Sequence, residues 1–94
     1  MTKVVNIQEE KFDVYIGRAG HGKDGYFGNP FLIGKDGNRE QVIKKYKNYF
    51  NQRLVNDQEF EKRIKSLRGK TLGCFCKPFA CHGDIIVKYL EDTP

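Results

Sequence analysis

The sequence predicts a small α/β domain, with a sheet of three or four short strands packed against about three helices. Three observations predict it. Two stretches with the period-2 alternation of strands, Phe12–Ile16 and Lys70–Cys76, lie far apart in the chain. Between them, from Asn38 to Leu67, apolar residues recur at helical spacing. The stretch Thr71–Asp84 then reads as a buried strand, a tight connection and the first turn of a helix. Such a junction can bring backbone N–H donors and reactive side chains together.

In chain order, Lys3-Val4-Val5-Asn6-Ile7 is a short β-type run. In Phe12–Ile16, Phe12, Val14 and Ile16 share one face, and Asp13 and Tyr15 the other. The four polar residues between the two runs permit a hairpin or a less direct pairing. Gly17 to Gly37 holds seven of the ten glycines, together with Arg18, His21, Lys23, Asn29 and Lys35. A loop this long in a compact domain is usually functional or disordered. Tyr26-Phe27-Gly28-Asn29-Pro30-Phe31-Leu32-Ile33 supplies apolar groups that fold it back onto the body. It contacts a ligand, or it is a glycine-punctuated turn region with a short extra strand at Phe31–Ile33.

Asn38 with Gln41 three residues on forms a capping-box pattern. Val42, Ile43, Tyr46, Tyr49, Phe50 and Leu54 follow at helical spacing, so an amphipathic helix runs to about Val55. This aromatic stripe reads as core. Asp57 caps a second helix carrying Phe60, Ile64 and Leu67, and Gly69 ends it. In the strand Lys70–Cys76, Leu72, Cys74 and Cys76 share a face. Pro78 stops the ladder, and this last strand is expected to be central, with its C-terminal end facing the Gly-rich loop. Asp84 favours a helix start through the dipole, and Ile85, Ile86, Tyr89 and Leu90 give the last helix its packing face.

Ninety-four residues make one domain, spanning residues 1–94. Seven Phe and five Tyr supply a modest core. No apolar run approaches the roughly 18–20 residues of a membrane span, and Met1-Thr2-Lys3 lacks a signal-peptide apolar region. The expectation is a cytoplasmic protein without membrane contact. Three cysteines are an odd count, and Cys74 and Cys76 are too close in a strand to bridge easily. Reduced thiols fit better than a disulfide framework. From Arg39 to Arg68 there are nine Lys or Arg and four Asp or Glu, which accounts for the whole net charge of +5. Lys44, Lys45, Lys47, Arg53, Lys62, Arg63 and Lys65 could face nucleic acid; the plainer reading is a solvated helix surface.

Three readings compete for the Cys-His corner. Cys74, Cys76, Cys81 and His82 are zinc-type ligands within nine residues. However, their C-x-C-x4-C-H spacing makes convergence of neighbouring Cys81 and His82 on one ion difficult. The expectation is therefore no metal, with zinc as the minority reading. Alternatively, Cys81 is a thiol activated at a helix N-terminus, with His82 as base or acid. The cysteine phosphatase spacing, Cys followed by five residues and Arg, is absent. In the third reading, backbone groups around Cys81, His82, Gly83 and Asp84 hold an anion. The loop residues Arg18, His21, Lys23, Gly28, Asn29 and Pro30 close over it, above a Cys74–Cys76 core.

Gly28-Asn29-Pro30-Phe31, the charged helix, Leu67–Pro78 and Cys81-His82-Gly83-Asp84 resemble the family called domain of unknown function 4326. The resemblance extends from Val4 to Leu90. It implies a phage or bacterial source, and host cytoplasm if the chain is phage-encoded. Phe27 and Phe75 stand where that family often has Trp. The strand–Cys–Pro–Cys-His–helix corner is more weakly similar to domain of unknown function 488, which implies only a Rossmann-like corner; the expected fold is a small Rossmann-like single domain. Neither resemblance brings an activity. The functional expectation is binding, sequestration or processing of a nucleotide-like or phosphorylated small ligand between the Gly-rich loop and the Cys-His helix start. A Cys81/His82-dependent enzyme on a nucleotide-type substrate and a basic nucleic-acid-binding protein are the alternatives.

Overall fold

The computed structural model describes every residue except Met1, Gly20, His21, Lys23, Pro78 and Pro94. Three strands, β1 (Lys3–Asn6), β2 (Val14–Tyr15) and β3 (Thr71–Cys74), form one sheet in the order β1-β3-β2. Three helices, α1 (Arg39–Asn56), α2 (Gln58–Lys65) and α3 (Gly83–Asp92), complete the α/β domain. Among the described residues, no helix is long and apolar enough to cross a membrane.

Both outer strands run parallel to β3, with Val4 and Val14 each opposite Leu72. The hairpin that the short 8–11 spacer permits does not form, because β3 lies between the two runs. The chain leaves β1 through a turn, where Glu9 and Glu10 donate to the Asn6 carbonyl. It then crosses one face of β3 and re-enters the sheet, with the Asp13 and Ile16 N–H groups donating to Thr71 and Gly73 carbonyls. Parallel neighbours usually need a crossover of a dozen or more residues. This short one fits because Gly73 lies beneath it. A Cβ at Gly73 would sit 2.6 Å from Ile7 Cγ2 and 2.7 Å from Phe12 Cγ. The sequence alternation placed Gly73 away from Leu72 and Cys74; that face is covered by the crossover itself.

The other face of β3 carries the core. Leu72 and Cys74 meet Tyr46 and Phe50 of α1, Phe60 and Ile64 of α2, and Ile86 and Leu90 of α3. The aromatic stripe is core, as its spacing predicts. Phe50 contacts Phe60 and Tyr89 edge-on, with centroids 5.7 and 5.6 Å apart. Burying a side chain of this size contributes about 2–3 kcal/mol. Tyr46 is fully buried and satisfies its hydroxyl by donating to the Phe27 carbonyl at 3.1 Å. That bond ties the Gly-rich loop to the helix.

The capping signals at the start of α1 and α2 act as read. The Asn38 side chain accepts from Gln41 N–H, and the Gln41 side chain accepts from Asn38 N–H. Asp57 ends α1 and caps α2 by accepting from Phe60 N–H. Helix α2 closes at Lys65, and tighter turns carry the chain to Gly69 at φ +80°. At Phe31–Ile33 there is no strand. Asp36 closes a turn there instead, its N–H donating to Leu32 O and its carboxylate accepting from Leu32 N–H.

Candidate functional site

A crevice of about 310 Å³ opens at the C-terminal ends of β2 and β3. Its lining comes from four segments: Tyr15 and Gly17 to Ala19 at and after the end of β2, Asn29 and Ile33 of the Gly-rich loop, Arg39, Val42 and Ile43 of α1, and, from the end of β3 to the start of α3, Cys74 to Cys76 and Ala80 to His82. Parallel strands create such a crevice because their ends hand the chain to loops on one side of the sheet. Strand β3 is central, as expected, and its end faces the Gly-rich loop.

The loop is held by Asn29. Its side-chain amide donates to Val42 O at 3.1 Å, and its amide oxygen accepts from Phe31 N–H at 2.9 Å. Asn29 is buried and both ends of its amide are used, so it shapes the crevice wall. Gly28 sits where a Cβ would come 2.7 Å from Gly17 O, so it serves the close approach of the loop to the strand end. Gly28 and Pro30 face an adjoining shallow groove that shares Arg18, Ala19 and Asn29 with the crevice. Arg18 lines both, with its guanidinium donating to Phe31 O at 2.9 Å. His21 and Lys23, the other loop residues proposed from sequence, lie outside the described residues.

Arg39 is the site residue that the sequence reading passed over. It occupies the first position of α1, donates to Ala80 O at 3.1 Å and lies 5.2 Å from the centre of the exposed Phe79 ring. A cation in the first turn of a helix opposes the macrodipole. That local mismatch is a signal the sequence does contain. Among the described residues, neither Arg18 nor Arg39 has a carboxylate within ion-pair distance.

The start of α3 is turned inward. Asp84 and Ile85 N–H groups donate to Cys81 and His82 carbonyls. The Asp84 carboxylate accepts from Cys81 N–H at 3.2 Å and pairs with Lys77 Nζ at 2.7 Å. A Cβ on Gly83 would meet Ile16 Cδ1 at 2.8 Å and Val4 Cγ2 at 2.9 Å, so Gly83 lets α3 close onto the sheet. In this corner the Cys81, Asp84 and Ile85 N–H groups and the Asp84 carboxylate are engaged within the protein. Among the described residues, the Arg18 and Arg39 guanidinium groups are the cations that line the opening.

His82 is buried, with its ring 5.0 Å from Tyr46 in an edge contact. Burial lowers its pKa, and the bond to the Ile16 carbonyl only partly offsets this. The ring is therefore neutral near pH 7. Because a carbonyl can only accept, Nε2 carries the proton it donates to Ile16 O at 2.6 Å. His82 pins the end of β2 to the start of α3. Among the described residues it makes no hydrogen bond to Cys81.

The three thiols are free, and all three cysteines line the crevice. Cys74 Sγ lies 3.4 Å from Cys81 Sγ. The contact with Cys74 draws the Cys81 thiol down; burial opposes this, and the Gly83 N–H reinforces it, leaving the pKa below the ordinary range. Cys76 moves the other way. Its contact with Cys74 and its burial push the thiol up, while the Arg39 guanidinium opposes them. Cys74 is drawn down by Cys76, but Cys81 and burial carry it above the ordinary range. Sequence alternation treated Cys76 as core beneath the site; it is half-buried and lines the crevice. Among the described residues, no group of three or more His, Cys, Asp or Glu is placed to hold a metal ion.

The basic stretch is largely engaged within the molecule. Arg53 pairs with Asp57, Arg63 with Glu59, and Lys65 with Glu61. Lys45 donates to Asp36 O, and Arg68 caps the end of α3 through Leu90 and Thr93 carbonyls.

Comparison with known sequences identifies relatives. The model of the family described as domain of unknown function (DUF4326) matches residues 2–92. An uncharacterized 12.4 kDa protein from the nrdA-td intergenic region of Enterobacteria phage T4 is 40% identical over 87 residues, spanning 92% of this chain and 74% of the phage protein. No solved structure matches the chain significantly.

Proposed function

The chain belongs to the DUF4326 family, and from the geometry of its crevice we propose that it binds a nucleotide-like or phosphorylated small ligand. The observation that carries this is the pairing of an apolar crevice of about 310 Å³ with two guanidinium groups, Arg18 and Arg39, that have no carboxylate partner among the described residues. The volume lies at the lower end of small-ligand pockets. Val42, Ile43, Ile33 and Phe75 offer apolar surface to a flat ring. Guanidinium forks match phosphate oxygens in charge and geometry. The parallel sheet, with its crevice at the strand ends, supports reading this corner as Rossmann-like. The phage relative supports a setting in host cytoplasm.

One observation favours processing over simple binding: the Cys81 thiol, lowered in pKa, lies on the crevice wall. In that case Cys81 is the nucleophile, and His82 orients the corner through Ile16 rather than acting as its base.

Thermal shift and calorimetry against nucleoside mono-, di- and triphosphates and dinucleotides test the reading. A ligand at one hundred times its Kd stabilises by about 2.7 kcal/mol, which moves the Tm of a domain this size by roughly 10–20 °C. The double variant Arg18→Ala/Arg39→Ala should lose that shift. If no compound in the panel shifts the wild-type melt, the reading fails. Turnover of a bound compound that survives in Cys81→Ala would remove the thiol from the chemistry.

A further inference from the structure

We propose that Cys74 and Cys81 form a redox-active dithiol, oxidised to an intramolecular disulfide by a hydroperoxide that enters through the crevice. The sulfurs lie 3.4 Å apart, although seven positions separate the residues in sequence. Strand β3 supplies one, and the other lies just before α3, where its N–H donates to the Asp84 carboxylate and its carbonyl accepts from Asp84 N–H. Closing the bond needs about 1.4 Å of approach, since a disulfide spans about 2.05 Å. Cys76 lies beyond the end of β3, past the bend at Phe75, and its thiol also contacts Cys74. The 3.4 Å approach of Cys74 to Cys81 favours that pair, and Cys76 is the competitor the test must separate.

Burial is the obvious objection, because Cys74 and Cys81 are only 1% and 2% exposed. Both line the crevice, however, so a molecule the size of hydrogen peroxide reaches them by the route a larger ligand would use. Polarity sets the order of events. Cys81 receives the Gly83 N–H and the contact of the Cys74 thiol, so it is the sulfur favoured as thiolate. The Cys81 thiolate attacks one peroxide oxygen. The O–O bond breaks, and the departing hydroxide takes a proton to leave as water. Cys81 is then a sulfenic acid. Cys74 loses its proton and attacks the Cys81 sulfur, and the S–O bond breaks. The displaced hydroxide takes that proton as a second water. Two thiols and one peroxide thus give one disulfide and two waters. Thiol reductant reverses the step by exchange.

The test uses the intact chain and dilute hydrogen peroxide, without nucleotide, so its outcome is independent of the proposed ligand. Intact mass should fall by the mass of two hydrogens. Peptide mapping should find Cys74 joined to Cys81 and Cys76 alkylatable, and dithiothreitol should restore the mass. Cys76→Ser should behave the same way. Cys74→Ser should stop Cys81 at the sulfenic acid, which dimedone traps. A bridge involving Cys76 would overturn the proposal. So would over-oxidation of unpaired thiols in the wild type, or three unmodified cysteines under conditions that oxidise a free-cysteine peptide.

Discussion

Arg39 and Arg53 stand near opposite ends of the same helix and are treated in opposite ways. The Arg53 guanidinium lies 4.1 Å from the Phe60 ring centre and 4.7 Å from that of Tyr26. It donates to Tyr26 O and Tyr49 Oη, and pairs with Asp57. Its charge is compensated and its plane is covered on aromatic rings, so it belongs to the architecture. Arg39 donates to Ala80 O and touches the Cys76 thiol, beside a Phe79 ring that is 64% exposed, with no carboxylate partner among the described residues. A charge left without a counter-ion beside an apolar crevice adds little to folding and remains available to an outside anion. The same contrast runs through the whole molecule. The α1–α2 side is an aromatic core flanked by the paired Arg53, Arg63 and Lys65, and the strand-end side holds cations and thiols around a space.

Substitutions should separate the two sides. The largest loss is expected from Phe60→Ala, at the centre of the aromatic core. Removing a buried Phe costs about 3–5 kcal/mol, a large part of the stability of a small domain, and denaturant melts will read it. A loss below about 1 kcal/mol would mean that the core is not where the structure places it. Gly73→Ala should come next. Its new methyl meets Ile7 and Phe12, and overpacking of this kind costs about 1–3 kcal/mol. The double variant Gly73→Ala/Phe12→Leu should recover part of that loss if the crossover is the cause.

Acidification probes the seam between the two sides. The folded His82 pKa lies below its ordinary value, chiefly through burial. The unfolded imidazole takes up a proton near pH 6.5, whereas the folded one does so only at lower pH. Stability therefore rises with pH through that window. The His82 contribution is complete above about pH 6.5 and is lost as pH falls towards the folded pKa. Denaturant melts at pH 7.5 and 5.5 should show a larger drop for wild type than for His82→Asn; equal drops would argue that the ring is already charged in the fold. The smallest effect on stability is expected from Arg39→Ala and Arg18→Ala. Each should lie within about 0.5 kcal/mol of wild type, as surface positions usually do, while ligand-induced stabilisation disappears. A large loss of stability in either would make that arginine architectural, like Arg53.

The parts of this fold that were legible in the sequence are the local ones. The Asn38–Gln41 box, the Asp57 cap and the Val42, Tyr46, Phe50 stripe depend on residues within one or two turns of each other. Their outcome follows from hydrogen-bond geometry and the 3.6-residue period alone. The central place of β3 was also legible, because a strand apolar on one face and glycine-bearing on the other asks for cover on both. The β1–β2 pairing was not, since a four-residue spacer is compatible with a hairpin until β3 competes for both edges. The site was legible as a neighbourhood. Arg18 and Asn29 of the loop do meet Cys81 and His82 around one crevice. Their roles were not legible, because a polar side chain's function depends on which carbonyl or carboxylate lies beside it.

By itself, then, the sequence determined the helices, the Asn38 and Asp57 caps, the core stripe and two of the four segments that line the site, all through interactions a few residues long. Only the tertiary structure decided that Arg39 joins Arg18 at the opening, that Cys81 faces Cys74 rather than His82, and that His82 and Asp84 are consumed in holding the corner. Those outcomes rest on contacts between β3, α1, α3 and the loop. Such contacts are set by how the elements pack, and no spacing within any one segment encodes them.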